Sequence, residues 1–165
     1  MNSMEFIKMS LGMSKGWIMG LVEGIKDAPL TAPTPKGGNH PLWCIGHLTY
    51  SEGNLVHAMV QGEANPVAPW KDIFGQGTQP SSDAGDYPPI EEVLAKFAEI
   101  RADTMALLDT LSEEDLDKPS HAPEEMKDFF GTVGQCLAAI SIHFAFHGGQ
   151  IADARRAAGR PPLLA

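Results

Sequence analysis

Hydrophobic side chains recur at intervals of three and four residues along four long stretches of the chain, which is the spacing of one face of an α-helix. The first stretch runs from about Ser3 to Lys26 and stops before Pro29. Its apolar positions fall on one face: Met4, Ile7, Leu11, Ile18, Leu21, Val22 and Ile25. This pattern predicts a first helix that packs against a core.

The second stretch begins in the sequence NHPLWCIGHL, where Pro41 suits the first helical position because its missing N–H would have no partner there. Its apolar face continues through Leu48, Leu55 and Met59 towards Gln61. The third stretch opens at YPPIEEV, whose prolines and glutamates suit the positive end of a helix. The apolar face of this third predicted helix comprises Val93, Leu94, Phe97, Ile100, Leu107, Leu108 and Leu111.

The fourth predicted helix opens at Thr132, with Gln135 three residues later in the spacing of a capping box. Its stop signals are Arg155 and Arg156 in the last turn, then Gly159 and Pro161.

Two connections link the last three predicted helices. The longer one, QGEANPVAPWKDIFGQGTQPSSDAGDYPP, is of a length uncommon in compact domains, and its Trp70, Ile73 and Phe74 predict that it packs back onto the helices. The shorter one, from Ser112 to Gly131, predicts one helical turn at SEEDL. Without a convincing strand, the chain is predicted to be all-α: a four-helix bundle with a long crossover between helices 2 and 3, in one domain over residues 1–165.

Composition narrows the possible partners and the compartment. The net charge is −9 and no run of lysine or arginine occurs, so we expect no nucleic acid and no anionic membrane as partner. No apolar run approaches 18 residues, and the N-terminus lacks the pattern of a signal peptide. The two cysteines, Cys44 and Cys136, both fall inside predicted helices. These features predict a cytoplasmic protein.

Two histidines interrupt the apolar face of the fourth helix. His143 and His147 are four residues apart and therefore point nearly the same way. Steps of three and four from them reach apolar or small positions: Val133, Cys136, Ile140, Ile151 and Ala154. The pair is thus predicted to face inward, where a metal would satisfy the imidazole nitrogens. The alternative is that both are structural histidines with ordinary hydrogen bonds.

A third ligand would have to come from another helix. His47 is the best candidate because it lies in the middle of helix 2, beside the apolar face. We expect His40 to be a capping or solvated residue at the helix start, and we discount His57 and His121 as ligands. Cys44 is within reach of the same centre, although a cysteine at such a position is more commonly a small buried hydrophobe.

The other polar and small residues near the histidines have ordinary explanations. Glu52 and Asp153 point away from the histidines around their helices, so spacing identifies no general base. Gly148 and Gly149 would either give a ligand clearance or allow close contact with another helix. Gln150 could form a hydrogen bond near the site, but for a helical glutamine we expect a solvated side chain.

Three neutral imidazoles would leave coordination positions open, as in catalytic zinc sites. Imidazole also suits nickel, iron and copper. Phe144 stands where an H-E-x-x-H motif has its glutamate, which argues against a thermolysin-like protease. No Walker-type or dinucleotide-binding glycine loop occurs in the sequence.

With these residues assembled, the chain resembles the DinB/YfiT-like superfamily of metal-dependent proteins. The resemblance spans nearly the whole chain and rests on LWCIGHL around His47, on PWKDIFGQG in the crossover and on TVGQCLAAISIHFAFHGGQIADARRAAGRPP. The last segment is the most specific, because H-x-x-x-H-x-G-Q followed by R-R-x-x-G and a proline is the usual ending of that family.

The resemblance implies a four-helix bundle, frequently a homodimer, with a metal held by His47, His143 and His147. Members include transferases and isomerases that use low-molecular-weight thiols. We therefore expect a metal-dependent enzyme of thiol-transferase or hydrolase type that acts on a small molecule, with zinc or nickel and a low-molecular-weight thiol. The alternatives are a non-catalytic metal- or ligand-binding stress-response module and a bundle whose histidines are merely structural.

Overall fold

A computed structural model describes residues 1–32, 34 and 37–163 of the chain. These residues contain no β-strand, which confirms the predicted all-α class. The α-helices, in chain order, are α1 (Ser3–Glu23), α2 (Pro41–Gly53), α3 (Lys71–Phe74), α4 (Ile90–Leu108), α5 (Lys127–Phe130) and α6 (Val133–Ala157). Short 3-10 turns occur at Ala68–Trp70, Ala84–Asp86, Glu113–Asp117 and Glu124–Met126. No helix in the described part of the chain combines the length and apolarity needed to cross a membrane.

Helix α1 ends at Glu23, three residues before the predicted Lys26, and Arg155 of α6 lies against this end. Arg155 of α6 is buried and donates a hydrogen bond to the carbonyl oxygen of Leu21 at 3.3 Å, close to the negative end of the α1 dipole. A Cβ atom on Gly24 would overlap the Arg155 guanidinium. The helix therefore ends next to a glycine that leaves space for the Arg155 side chain.

Helix α2 begins at a histidine cap and changes geometry half-way. The His40 Nδ1 accepts a hydrogen bond from the Trp43 N–H at 3.1 Å, which confirms its expected capping role. After Gly53 the chain continues as a π-helix, Asn54–Gln61, where the sequence predicted one continuous α-helix. Apolar spacing over two turns does not separate these two helix types, so the sequence could not place the change.

The capping box predicted at the start of α6 is confirmed. The Gln135 N–H donates to the Thr132 Oγ1 at 3.2 Å, and the Thr132 N–H donates to the Gln135 Oε1 at 3.0 Å. The turn predicted at SEEDL is also confirmed, as the 3-10 helix Glu113–Asp117.

Helix α2 packs against both α4 and α6, and α6 in turn packs against α1. Within α2 every residue is buried except Tyr50 and Ser51. Any polar side chain on this helix therefore needs a partner inside the protein.

Glu52 of α2 finds that partner in Arg101 of α4, and both side chains are at most 2% exposed. The Arg101 Nε and Nη2 donate to the two Glu52 oxygens at 2.7 and 2.9 Å, and the Thr104 hydroxyl donates to Oε1 at 2.7 Å. The Arg101 Nη1 also donates to the Leu11 carbonyl oxygen of α1 at 2.5 Å, and its guanidinium lies 4.6 Å from the Phe144 ring centroid. This network connects α1, α2, α4 and α6, and spacing along the sequence did not reveal it.

The crossover between the π-helical segment and α4 packs back onto α2, as predicted. Trp70 and Phe74 are buried and Ile73 is half-buried. The Phe74 ring occupies the space that Gly46 leaves, because a Cβ atom there would overlap the ring. Further along, the Thr78 hydroxyl oxygen accepts a hydrogen bond from the Trp43 Nε1–H at 3.0 Å. The crossover is thus fixed against the face of α2 that carries His47.

Replacement of Arg101 by methionine leaves the Glu52 carboxylate buried without its cation. We expect the free energy of unfolding in urea to fall by about 3–5 kcal/mol. The control is Lys96→Met, which removes the exposed ion pair with Glu99 and should cost less than about 1 kcal/mol. Equal losses in the two variants would mean that the buried network does not stabilise the fold.

Candidate metal centre

Three imidazoles meet between α2 and α6. His47 comes from α2, and His143 and His147 come from successive turns of α6; the ring centroids are 4.6 to 4.9 Å apart. One ligating atom from each lies within 4.8 Å of the others. The structure thus brings together the three histidines selected from the sequence. Among the described residues, no other histidine, cysteine, aspartate or glutamate joins this cluster.

The tautomer of His47 is set by the crossover. Its Nδ1–H donates to the Phe74 carbonyl oxygen at 2.7 Å, so the neutral ring carries its lone pair on Nε2. The ring also stacks on Trp43, with centroids 4.5 Å apart and planes 10° apart. The long crossover therefore orients one of the three imidazoles.

Gln150 sets the tautomer of His147. Its Oε1 accepts from the His147 Nδ1–H at 2.9 Å, from the Asn39 Nδ2 at 3.2 Å and from the Cys44 thiol at 3.4 Å. Three donors around one atom identify it as the amide oxygen, and they leave the lone pair of His147 on Nε2. The expectation of a solvated Gln150 is therefore wrong: the side chain is half-buried and supports the cluster.

Cys44 lies behind the cluster and is not part of it. Its thiol donates to Gln150, and burial raises the pKa of this thiol to about 12. Without a metal ion beside it, a thiol with so high a pKa provides no thiolate nucleophile at neutral pH.

The third imidazole, His143, places its Nε2 3.2 Å from the His47 Nε2. Because the His47 Nε2 carries a lone pair, a neutral His143 with its proton on Nε2 donates a hydrogen bond across this distance, and a bound metal ion would take the place of that proton. Two imidazole nitrogens bound to one tetrahedral zinc at about 2.0–2.1 Å would be about 3.3 Å apart. The spacing of this pair of donors therefore fits a shared metal ion.

All three imidazoles are held in the neutral form. Burial lowers the pKa of His47, that of His143 to about 3 and that of His147 to about 4. The neighbouring histidines lower the pKa of His143 further, whereas the hydrogen bond to Gln150 partly offsets the effect of burial on His147. At neutral pH the lone pairs are therefore available to a metal, with little competition from protons.

The remaining histidines lie elsewhere. His40 caps α2, and its Nε2 is 2.9 Å from the Ser81 carbonyl oxygen. His57 lies in the π-helical segment with its Nε2 3.6 Å from the Asp103 carboxylate. His121 lies against Gly62, at the end of that segment.

Gly148 serves helix packing. A Cβ atom on it would lie 3.4 Å from the Ile18 side chain of α1, so the glycine allows close contact between α6 and α1. Gly149 has no such neighbour, because a Cβ atom there would meet nothing within 4 Å. Neither glycine is therefore seen to make space for a ligand at the histidine cluster.

The model of the DinB superfamily matches residues 18–151 of the chain, a range that includes all three clustered histidines. The chain belongs to the DinB superfamily. None of the curated proteins matches it. Membership of the DinB superfamily and a cluster of three neutral imidazoles are together compatible with metal binding.

Substitution of Gln150 tests whether its hydrogen bond to His147 supports metal binding at this DinB centre. Replacement by leucine removes the acceptor of the His147 Nδ1–H, and we expect affinity for Zn²⁺ or Co²⁺ to fall about 10- to 100-fold in a chelator competition titration. Asn39→Ala is the matched control, because it removes a donor to the same oxygen and leaves the imidazole contact intact. An unchanged affinity in the Gln150 variant would show that this hydrogen bond does not support a metal ligand.

Proposed function

We propose that this chain is a metal-dependent enzyme that acts on a small molecule, with His47, His143 and His147 as the ligands of a divalent transition metal, zinc or nickel. The observation that carries the proposal is the convergence of three neutral imidazoles, two of which have their Nε2 lone pairs fixed by hydrogen bonds at Nδ1. Metal-binding histidines are typically held in this way.

The donor set supports catalysis rather than a closed structural site. It consists of three nitrogens, whereas structural zinc sites have four protein ligands. A metal bound here would polarise a substrate oxygen or lower the pKa of a bound water or thiol. The chain's own residues orient the ligands through the Phe74 carbonyl and Gln150, and Trp43 shields His47 with its ring.

We propose a thiol-transferase or hydrolase because the described residues of the cluster supply no nucleophile of their own. Cys44, the cysteine behind the cluster, has a pKa raised to about 12 and donates to Gln150. No carboxylate of the described residues belongs to the cluster. The attacking group would therefore come from outside the chain, as water or as a low-molecular-weight thiol.

The same lack of a carboxylate in the described cluster favours a second candidate, a non-catalytic metal- or ligand-binding stress-response module. Such a module would load the same metal and turn over no substrate.

For the architecture we propose a single domain over residues 1–165, a four-helix bundle formed by α1, α2 (with its π-helical continuation), α4 and α6. The support is the chain of contacts from α1 to α6, from α6 to α2 and from α2 to α4. We also propose a cytoplasmic location, because both cysteines are free thiols in the interior.

Metal content tests the proposed ligands. We expect about one equivalent of zinc or nickel per chain in elemental analysis of the wild-type protein, and a loss of affinity above about 100-fold in His143→Ala. His121→Ala, which changes a histidine outside the cluster, should keep its metal. Full metal content in His143→Ala would rule out the three-histidine site.

Turnover separates the two candidate functions. Metal-loaded protein is assayed with cysteine plus 1-chloro-2,4-dinitrobenzene for thiol transfer, and with p-nitrophenyl acetate for hydrolysis. The enzyme proposal expects one of these rates to depend on metal and to be absent in His143→Ala. Stoichiometric metal without any turnover would support the binding module.

We further propose that the protein is a homodimer joined through the outer surface of α1 and α6. Large apolar side chains on these two adjacent helices are 44–71% exposed: Phe6, Met9, Met13, Trp17, Ile142 and Phe146. Cβ atoms on Gly12, Gly16 and Gly149 would meet nothing within 4 Å, so the protomer itself does not require glycine there. An apolar surface with accessible backbone suits the close approach of a second copy about a two-fold axis.

A charge in this surface should separate the protomers. We expect Met13→Glu to convert a dimer to a monomer in sedimentation velocity, because the carboxylate would be buried at the interface without a partner. Ala102→Glu, which adds the same charge to an exposed position of α4, should remain dimeric. A wild-type protein that is monomeric at high micromolar concentration would refute the proposed interface.

A further inference from the structure

Two of the three clustered histidines are held by different kinds of contact. His147 and its acceptor Gln150 both belong to α6, so that hydrogen bond stays within one helix. The His47 Nδ1–H instead donates to the Phe74 carbonyl oxygen, 27 residues further along the chain in the crossover. The orientation of His47 therefore depends on the crossover remaining packed against α2.

Three contacts of the crossover with α2 lead to His47. The Phe74 ring fills the space left by Gly46, the residue before His47. The Phe74 carbonyl oxygen accepts the His47 Nδ1–H at 2.7 Å. The Thr78 Oγ1 accepts from the Trp43 indole N–H at 3.0 Å, and the indole stacks on the His47 ring. A displacement of the crossover would disturb all three contacts around this one imidazole.

This part of the crossover is fixed by few buried side chains. Among residues 71–80, only Phe74 and Gly75 are buried, and the four-residue helix α3 exposes its first two residues. The Phe74 ring packs against Trp70, with ring centroids 5.2 Å apart. Segments with few buried contacts open at a lower free energy than the whole protein unfolds. Docking of this segment on α2 is therefore an equilibrium of its own.

Docking of the crossover decides which nitrogen of His47 is available as a ligand. In the docked state the proton is on Nδ1, and the Nε2 lies 3.2 Å from the Nε2 of His143. Without the Phe74 carbonyl, the neutral ring takes its proton on either nitrogen. A ring with its proton on Nε2 offers the cluster no lone pair at that atom. The docked crossover therefore prepares His47 to bind a metal.

We propose that docking of the crossover and metal binding at the three histidines are thermodynamically coupled. The docked crossover raises the affinity for metal, and a bound metal stabilises the docked crossover by the same factor, because such coupling is reciprocal. Phe74 and Thr78 are thus positioning residues, which act through the His47 ring and the Trp43 indole. The proposal rests on the proposed three-histidine metal site and adds to it a device that controls metal loading.

Gly46→Ala places a methyl group where the Phe74 ring lies and leaves all three histidines in place. We expect affinity for Co²⁺ to fall about 10- to 100-fold in a chelator competition titration, the usual loss when the support of a ligating histidine is removed. The matched control is Gly16→Ala in α1, because a Cβ atom there meets nothing within 4 Å and the affinity should stay at the wild-type value. Wild-type affinity in Gly46→Ala would overturn the proposal.

Thr78→Val tests the same coupling without adding volume, and it applies where Gly46→Ala fails to fold. The valine removes the acceptor of the Trp43 indole, and we expect affinity for Co²⁺ to fall about two- to tenfold, as for the loss of one hydrogen bond. The control is Thr110→Val, which removes an exposed hydroxyl that bonds only to the nearby Leu107 carbonyl oxygen. Equal affinities in these two variants would overturn the coupling through the indole.

Hydrogen exchange measures the coupling from the side of the crossover. The amides of Gly75 and Thr78 donate to the Lys71 and Gly75 carbonyl oxygens at 2.8 and 3.3 Å, so both report on the order of this segment. We expect saturating Zn²⁺ to slow their exchange about 10- to 100-fold, the same factor as for the affinity. Exchange of the Val93 amide at the start of α4 should change less. Equal exchange at Gly75 and Thr78 with and without Zn²⁺ would contradict the reciprocal effect and overturn the proposal.

The tautomer of His47 in metal-free protein separates this proposal from that of the metal centre. Imidazole nitrogen NMR should show the proton on Nδ1 in the wild type and a mixture of tautomers in Gly46→Ala. The same tautomer in both proteins, with metal lost in His143→Ala, would overturn the coupling and leave the metal centre standing. Full metal content in His143→Ala would overturn the metal centre and the coupling together, even with the expected tautomers.

Discussion

The buried Glu52–Arg101 ion pair is the constraint on which the position of the centre depends. Glu52 and His47 are five residues apart on α2, so they project about 140° from each other around the helix axis. Because the carboxylate must face its arginine on α4, the rotation of α2 is fixed and the imidazole is directed towards α6. Separating the partners of a buried ion pair costs several kcal/mol, because it leaves a buried charge without its partner. A rotation of α2 that moved Glu52 away from Arg101 would therefore be unfavourable.

The orientation of the imidazoles then depends on backbone and amide oxygens rather than on carboxylates. The Phe74 carbonyl and the Gln150 amide oxygen each hold one Nδ1–H, so both tautomers are set without adding negative charge behind the rings. Burial, with a smaller contribution from the neighbouring histidines, lowers the pKa of His143 and His147 and keeps these rings neutral. Neutral acceptors leave a bound metal with more positive charge than a carboxylate would, which favours a strong Lewis acid.

The sequence predicted the helices and the histidine cluster, and it missed the interactions that depend on three-dimensional contacts. Spacing placed His143 and His147 on one inward face, and the position of His47 in the middle of a helix made it the third member. The roles of Gln150 and Arg101 could not be predicted, since each depends on which helices are adjacent and how they are rotated. Nor could the change to a π-helix after Gly53, because apolar spacing there fits both geometries.

Helix α6 has three faces with different surroundings, and Phe146 contacts residues on two of them. One face bears the histidines, a second packs on α1 through Gly148, and a third is apolar and exposed. Phe146 belongs to the third face, and its ring also meets the ring of His147 edge-on at 5.1 Å. A second copy seated on the apolar face would therefore exclude water from one edge of the imidazole cluster.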